Sequence, residues 1–150
     1  MFVMSSKVRW TIIVAGGFFL FLDQLLKWLA VNTWAEPRLA NKYFGWELYF
    51  NSGIAFSLPL SNTLIIAFTM PMIILIAYLL IKNLKNRPTI LLAWTAMLAG
   101  AVSNLADRLI YKHVIDYFRV LTGVVNFADI MIASGLIIYL LALRSKPKEI

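Results

Sequence analysis

NLADRLIYKHVIDYFRVLTGVVNFAD, residues 104–129, places three of the chain's four aspartates between two long apolar segments. Carboxylates at the boundary of an apolar span are costly, and they are kept where they do chemistry, relay protons or hold a buried network together. The stretch therefore decides two things at once: where two helices end and begin, and where chemistry is to be sought.

Outward from it, the composition is that of an integral membrane protein. The chain has 150 residues, 61% hydrophobic and 14% charged, with mean hydropathy +0.80 and apolar runs too long for a soluble domain of this size. The absence of cysteine excludes disulfides, thiolate metal sites and cysteine nucleophiles. The single histidine, His113, supplies no multi-histidine metal site and reads as an interfacial loop residue, so no metal and no cofactor are expected. The net charge of +7 falls in short basic clusters beside apolar spans, where it sets topology, so nucleic acid is not an expected partner.

Four spans follow, at about 10–30, 62–81, 89–110 and 125–143, with connecting loops at 31–61 and 111–124, all in one membrane domain covering 1–150. The first is long enough to cross a hydrocarbon core of ~30 Å at about 1.5 Å per residue. It reads as a retained span and not a cleaved signal, because Asp23 and Lys27 interrupt it and no small-x-small site follows. Ser61 or Asn62 is placed to cap the second span, and Pro88 to open the third. In the first loop, Phe44, Trp46, Leu48 and Phe50 alternate with Gly45, Glu47, Tyr49 and Asn51, which predicts a half-buried strand. Asn51-Ser52-Gly53 then reads as a turn using the freedom of glycine at positive φ, and Gly123 as a second place where the chain folds back. The fold class expected is all-α and polytopic, with a small β element and a surface lid or loop helix outside the membrane. Trp28, Trp34 and Trp46 read as interface anchors.

Basic residues at Lys7 and Arg9, at Lys82, Lys85 and Arg87, and at Arg144, Lys146 and Lys148 all fall on one side of a four-span thread. By the positive-inside rule that side, with both termini, is cytoplasmic. Asp23, Lys27, Asn51, Asn104, Asp107, Arg108, Asp116, Asn126 and Asp129 then converge on the outer boundary.

Within that inventory, Asp116 and Asp129 are the candidate catalytic pair. Two carboxylates close together in a low dielectric cannot both ionise easily, so one retains a proton while the other deprotonates a water. Their spacing is equally that of a solvated loop aspartate and a helix cap. Asn104 and Asp107 share a helical face, and Arg108 is able to pair with Asp107 or with another buried carboxylate. Asp23 and Lys27, four apart with the acid first, form a helical ion pair, with Lys27 snorkelling to the interface. The residues alone also fit a small proton-coupled transporter or a non-catalytic assembly subunit. The transporter predicts carboxylates strung through the bilayer depth, and the assembly subunit predicts tolerance to loss of either aspartate.

FLDQLLKWLAV at 21–31, NSGIAFS at 51–57, AGAVSNLADRL at 99–109, VIDYF at 114–118 and NFAD at 126–129 occur in this order. Together they resemble the lipoprotein signal peptidases (signal peptidase II), bacterial inner-membrane aspartyl peptidases. The resemblance implies a hydrolase that cuts a diacylglyceryl-modified prolipoprotein just before its lipidated cysteine, with the prolipoprotein signal peptide and membrane lipid as partners. A monomer is the expected state. The resemblance also implies Asp116 and Asp129 as the catalytic dyad, and Asp23, Lys27, Asn51, Gly53, Asn104, Asp107, Arg108, Asn126 and Ala128 as supporting residues, with Asp107 structural. The chain departs from the family pattern at Ser103, where glycine is common, at Ile54, where a small residue is common, and at Tyr117, where phenylalanine is usual. Its segment between Asp116 and Asp129 is also short, and residues 111–122 are expected to form the lid.

Overall fold

The computed structural model describes residues 4–34, 36–53, 60–84 and 87–145. Four helices, α1 (Ser6–Thr33), α2 (Asn62–Lys82), α3 (Pro88–Tyr111) and α4 (Phe127–Arg144), are long and apolar enough to cross a membrane. Ser61 caps α2, its side chain accepting from the Leu64 N–H, and Pro88 opens α3 where a missing N–H costs no hydrogen bond. Of the basic residues assigned to one end, Lys7, Arg9, Lys82, Arg87 and Arg144 lie at the α1 start, the α2–α3 connection and the α4 end. Lys85, Lys146 and Lys148 lie outside the described residues, as does Ile54.

Helix α3 is the hub, packing against α1, α2 and α4. Small residues let it approach α4 closely. A Cβ at Gly100 would stand 2.5 Å from the Ala128 carbonyl oxygen, and one at Gly135 would stand 2.8 Å from that of Ala93. In lipid, where apolar surface gains little by leaving its surroundings, such close backbone packing is what joins helices. Asn104 lies one turn beyond Gly100, so the same approach sets it beside the α4 N-terminus.

The α1–α2 connection contributes β1 (Arg38–Leu39) and β2 (Phe44–Asn51), and the α3–α4 connection contributes β3 (Val114–Val120) and β4 (Gly123–Val125). They form one antiparallel sheet in the order β1-β2-β3-β4, so both connections lie at the same end of the bundle. The strand expected at 44–51 is present. Its alternation is broken, however: Trp46 pairs with Phe118 and Tyr49 with Asp116, a bulge of one extra residue on β2. The bulge re-phases the strand, putting Tyr49 and Asn51 on the face of Asp116 instead of the opposite one.

Residues 111–124 form no lid helix. Val114, Ile115, Tyr117, Phe118 and Val120 are β-branched or aromatic, and β2 offers them a full antiparallel partner. Nor does glycine make the turns by positive φ: among the described residues only Lys112 (φ 67°) and Leu121 (φ 57°) have it. Lys112 ends α3 in the left-handed conformation, and Leu121 turns the β3–β4 hairpin, while Gly123 sits in β4. Gly53 closes its turn by donating its N–H to Asn51 Oδ1 (3.1 Å).

Candidate active site

Asp116 on β3 is buried and Asp129 in the first turn of α4 is partly buried. Asn126, the α4 N-cap, touches both: its Nδ2 donates to Asp116 Oδ1 (2.6 Å), its Oδ1 accepts from the Asp129 N–H (2.9 Å), and its own N–H donates to Asp129 Oδ2 (3.3 Å). The last two bonds make a capping box, so Asp129 is at once a cap residue and a member of the pair.

The remaining oxygens are met by two more asparagines. Asn51 Nδ2 donates to Asp116 Oδ2 (3.0 Å), and Asn104 Nδ2 to Asp129 Oδ1 (2.8 Å). Each amide is held by a donor on its oxygen: Gly53 N–H for Asn51, Asp129 N–H for Asn126, and Lys27 Nζ (2.9 Å) for Asn104. A group that only donates leaves an amide no choice of orientation, so all three NH₂ groups point at the carboxylates. Among the described residues no lysine or arginine forms an ion pair with Asp116 or Asp129. Burial, and then the neighbouring Asp129, push the Asp116 carboxyl up to about 7, against the hydrogen bonds from Asn51 and Asn126 that favour its charged form.

Behind the pair lies a second acidic group of a different kind. Lys27 Nζ stands 2.9 Å from Asp23 and 2.8 Å from Asp107, all three side chains essentially fully buried. Lys27 therefore does not snorkel. Its stem runs inward because two carboxylates and the Asn104 oxygen await it inside, which water at the interface would have to outcompete. Asp23 also accepts from Ser103 Oγ (2.6 Å), Tyr117 Oη (3.1 Å) and the Ala128 N–H (3.1 Å). Asp107 accepts from Gln24 Nε2 (3.1 Å) and from the Ile115 N–H (3.2 Å), next to Asp116.

Arg108 differs from expectation as well. Among the described residues it pairs with neither Asp107 nor another carboxylate; its Nη2 donates to the Gly53 carbonyl (2.5 Å), and its buried Nη1 has no partner there. The guanidinium thus anchors the Asn51 turn. His113 packs on Phe50 (4.6 Å between ring centroids), away from the carboxylates. Trp28 is exposed, whereas Trp34 and Trp46 pack on each other (4.8 Å) and against Tyr117. A cleft of about 230 Å³ between α1 and α3 is lined by Gln24, Lys27, Trp28, Val31, Asn32, Tyr111 and Ile115, and its lining includes neither Asp116 nor Asp129.

Every sequence-derived site residue thus gathers at the sheet end of the bundle. Three further members were not singled out as functional: Gln24, Ser103 and Tyr117. Their helical offsets from Asp107 and adjacency to Asp23 and Asp116 are the only sequence signals, and such offsets are common.

The family model for signal peptidase (SPase) II matches residues 15–144. A lipoprotein signal peptidase of Chlamydia abortus is 31% identical, the match covering 97% of this chain and 98% of the relative. One from Janthinobacterium sp. (strain Marseille) is also 31% identical, covering 91% and 88%. A solved structure described as a bacterial membrane enzyme, determined by the in meso method at 2.3 Å resolution, superposes with a TM-score of 0.83 at 23% identity, covering 93% of this chain and 94% of that one. Family model and relatives agree with the order of motifs and the gathered carboxylates: the chain belongs to the signal peptidase II family, membrane proteases that remove signal peptides from prolipoproteins.

Proposed function

We propose that the protein is an aspartyl endopeptidase whose dyad, Asp116 and Asp129, activates water to cut a diacylglyceryl-modified prolipoprotein just before its lipidated cysteine. The pair holds one proton. The ionised member takes a proton from water as the oxygen attacks the scissile carbonyl, and the protonated member hydrogen-bonds the developing oxyanion. The proton taken from water then passes to the leaving amine, releasing the signal peptide with a new carboxylate and the lipoprotein with a free amino group on its lipidated cysteine. No covalent intermediate, metal or cofactor enters.

The observation that carries this reading is the environment of the pair. Each of the four carboxylate oxygens accepts an N–H from asparagine, and no cation pairs with them among the described residues. Neutral donors fix the geometry without settling the charge, which leaves a proton free to be shared.

The chain acts as one domain, a monomer, with its termini in the cytoplasm and the sheet end at the outer surface of the bacterial inner membrane. The basic residues at the opposite end support this orientation. Exposed aromatic residues at the sheet end, Phe44, Trp46, Tyr49 and Phe50, suit the headgroup layer, where a signal helix arrives sideways and its acyl chains stay in lipid. Asn51, Gly53 and Arg108 hold the turn beside the dyad; Asp23, Lys27, Asn104, Asp107, Asn126 and Ala128 hold the dyad itself.

The test is Asp116→Asn and Asp129→Asn, each assayed for prolipoprotein cleavage in membranes. Loss of at least about 1,000-fold in cleavage, with the protein still accumulating, is expected for both. Full activity in either sinks the dyad.

A further inference from the structure

The first turn of α4 leaves four backbone N–H groups without intrahelical partners, and all four are met by other groups. Asn126 N–H donates to the Asp129 carboxylate (3.3 Å) and Asp129 N–H to the Asn126 side chain (2.9 Å), both within the cap. The other two leave the helix. Ala128 N–H reaches Asp23 on α1 (3.1 Å), and Phe127 N–H reaches the Tyr117 hydroxyl on β3 (3.0 Å). Tyr117 in turn donates to the same Asp23 Oδ1 (3.1 Å). Its hydroxyl is therefore a bridge between β3, α1 and the first residue of α4.

Its position in the chain gives that bridge meaning. Tyr117 follows Asp116 directly, and Phe127 precedes Asp129 by two residues. Asp116 grips the α4 N-terminus through Asn126, and Tyr117 grips it through Phe127, so consecutive residues of β3 hold the N-cap and the first residue of α4. The ring is itself fixed: it is 2% exposed, stacked on Trp46 (6.2 Å, 17°) and edge-on to Trp34 (6.0 Å). Burial, and then Asp23, raise the hydroxyl well above the ordinary tyrosine range, so it stays protonated and keeps both bonds throughout the working pH range.

We infer that the Tyr117 hydroxyl is a positioning group for the reaction: by accepting the Phe127 N–H while donating to Asp23, it holds the α4 N-terminus, and with it Asp129, in register with Asp116. Without the hydroxyl, Phe127 N–H loses its acceptor, the first turn of α4 loosens, and Asp129 is held less closely in register with Asp116. The inference rests on the dyad reading proposed above.

Tyr117→Phe tests it, because it keeps the ring and deletes only the bridge. The expected result is a fall in kcat on the order of 10- to 100-fold with KM unchanged, since the buried hydroxyl touches no substrate. The alkaline limb of the pH–rate profile should also move to lower pH, because a more distant Asp129 and a better solvated site raise the Asp116 carboxyl less. A purely structural role would lower the amount of folded protein and leave kcat per active site and the pH profile unchanged; that result overturns the inference.

Phe127→Pro deletes the same hydrogen bond from its other end, at a first helical position where proline is tolerated. It must move the pH limb the same way, and the double variant no further than either single one. A wild-type profile in Phe127→Pro also overturns the inference, including when Tyr117→Phe accumulates poorly. Asp116→Asn run alongside separates the two claims: full activity there removes the dyad itself, whereas lost activity there with an unshifted Tyr117→Phe profile removes only the role of the hydroxyl.

Discussion

Four aspartates sit at one end of this bundle, and they are held in two opposite ways. Asp23 and Asp107 share a buried ammonium, Lys27, at 2.9 and 2.8 Å. Asp116 and Asp129 are a few side chains away and have only neutral amides on their oxygens. The first arrangement pairs each carboxylate with a cation, which suits a scaffold. The second satisfies hydrogen bonds and leaves the charge open, the condition under which a carboxyl pair exchanges protons with a substrate. The two are joined at Asn104, whose oxygen takes the Lys27 ammonium and whose NH₂ meets Asp129.

Removing the charge from each group in turn should break them differently. Asp116→Asn and Asp129→Asn remove catalysis and keep the fold, as proposed above. Lys27→Met leaves two carboxylates buried without a cation, a loss of about 3–5 kcal/mol where one partner of a buried pair is deleted. Thermal unfolding in detergent should show a large drop for Lys27→Met and little change for Asp116→Asn. Equal stability of Lys27→Met and wild type would contradict the scaffold role.

A milder change sharpens the contrast. The Asn51 hydrogen bond favours the charged form of Asp116, so Asn51→Ala should raise that carboxyl further above about 7. If the reaction needs one proton on the pair, activity falls as pH rises through that value, and the alkaline limb of Asn51→Ala must move to higher pH. Tyr117→Phe is expected to shift it the other way, so a pH–rate series on the two variants reads both signs. The smallest effect belongs to Glu47 and Arg119, an ion pair across the sheet whose side chains are 24% and 28% exposed. Glu47→Gln should barely move the same unfolding transition and leave cleavage unchanged, because a partly exposed pair is screened by water.

Much of this was legible in the sequence, and the remainder was hidden for identifiable reasons. The spans were legible because ~20 apolar residues in a row have few other uses. Strand β2 was legible from its alternation, but its bulge was not, since a bulge is set by the partner strand. Strand β3 was missed because its partner lies 65 positions away at the Asn51–Asp116 contact, although its β-branched and aromatic run favours pairing. Asp116 and Asp129 stood out as charges beside apolar spans. Ser103 and Tyr117 did not, because a hydroxyl has meaning only once its partner is known, and both partners are the same Asp23, 80 and 94 positions distant. Lys27 was misplaced for a related reason: a lone lysine near a helix end ordinarily reaches for water, and only the fold brings it Asp107.

The contrast between the two acidic groups is read most directly by titrating the aspartates one by one. Carbon-13 NMR of protein labelled at the aspartate carboxyl carbons, in detergent, gives a resonance for each, and Asp116→Asn identifies its own by deletion. The account predicts that the Asp116 resonance moves with a midpoint of about 7. An Asp116 carboxyl that titrates in the ordinary aspartate range, near ~4, would contradict the account: the pair would then be two settled charges, and the site no different from the scaffold behind it.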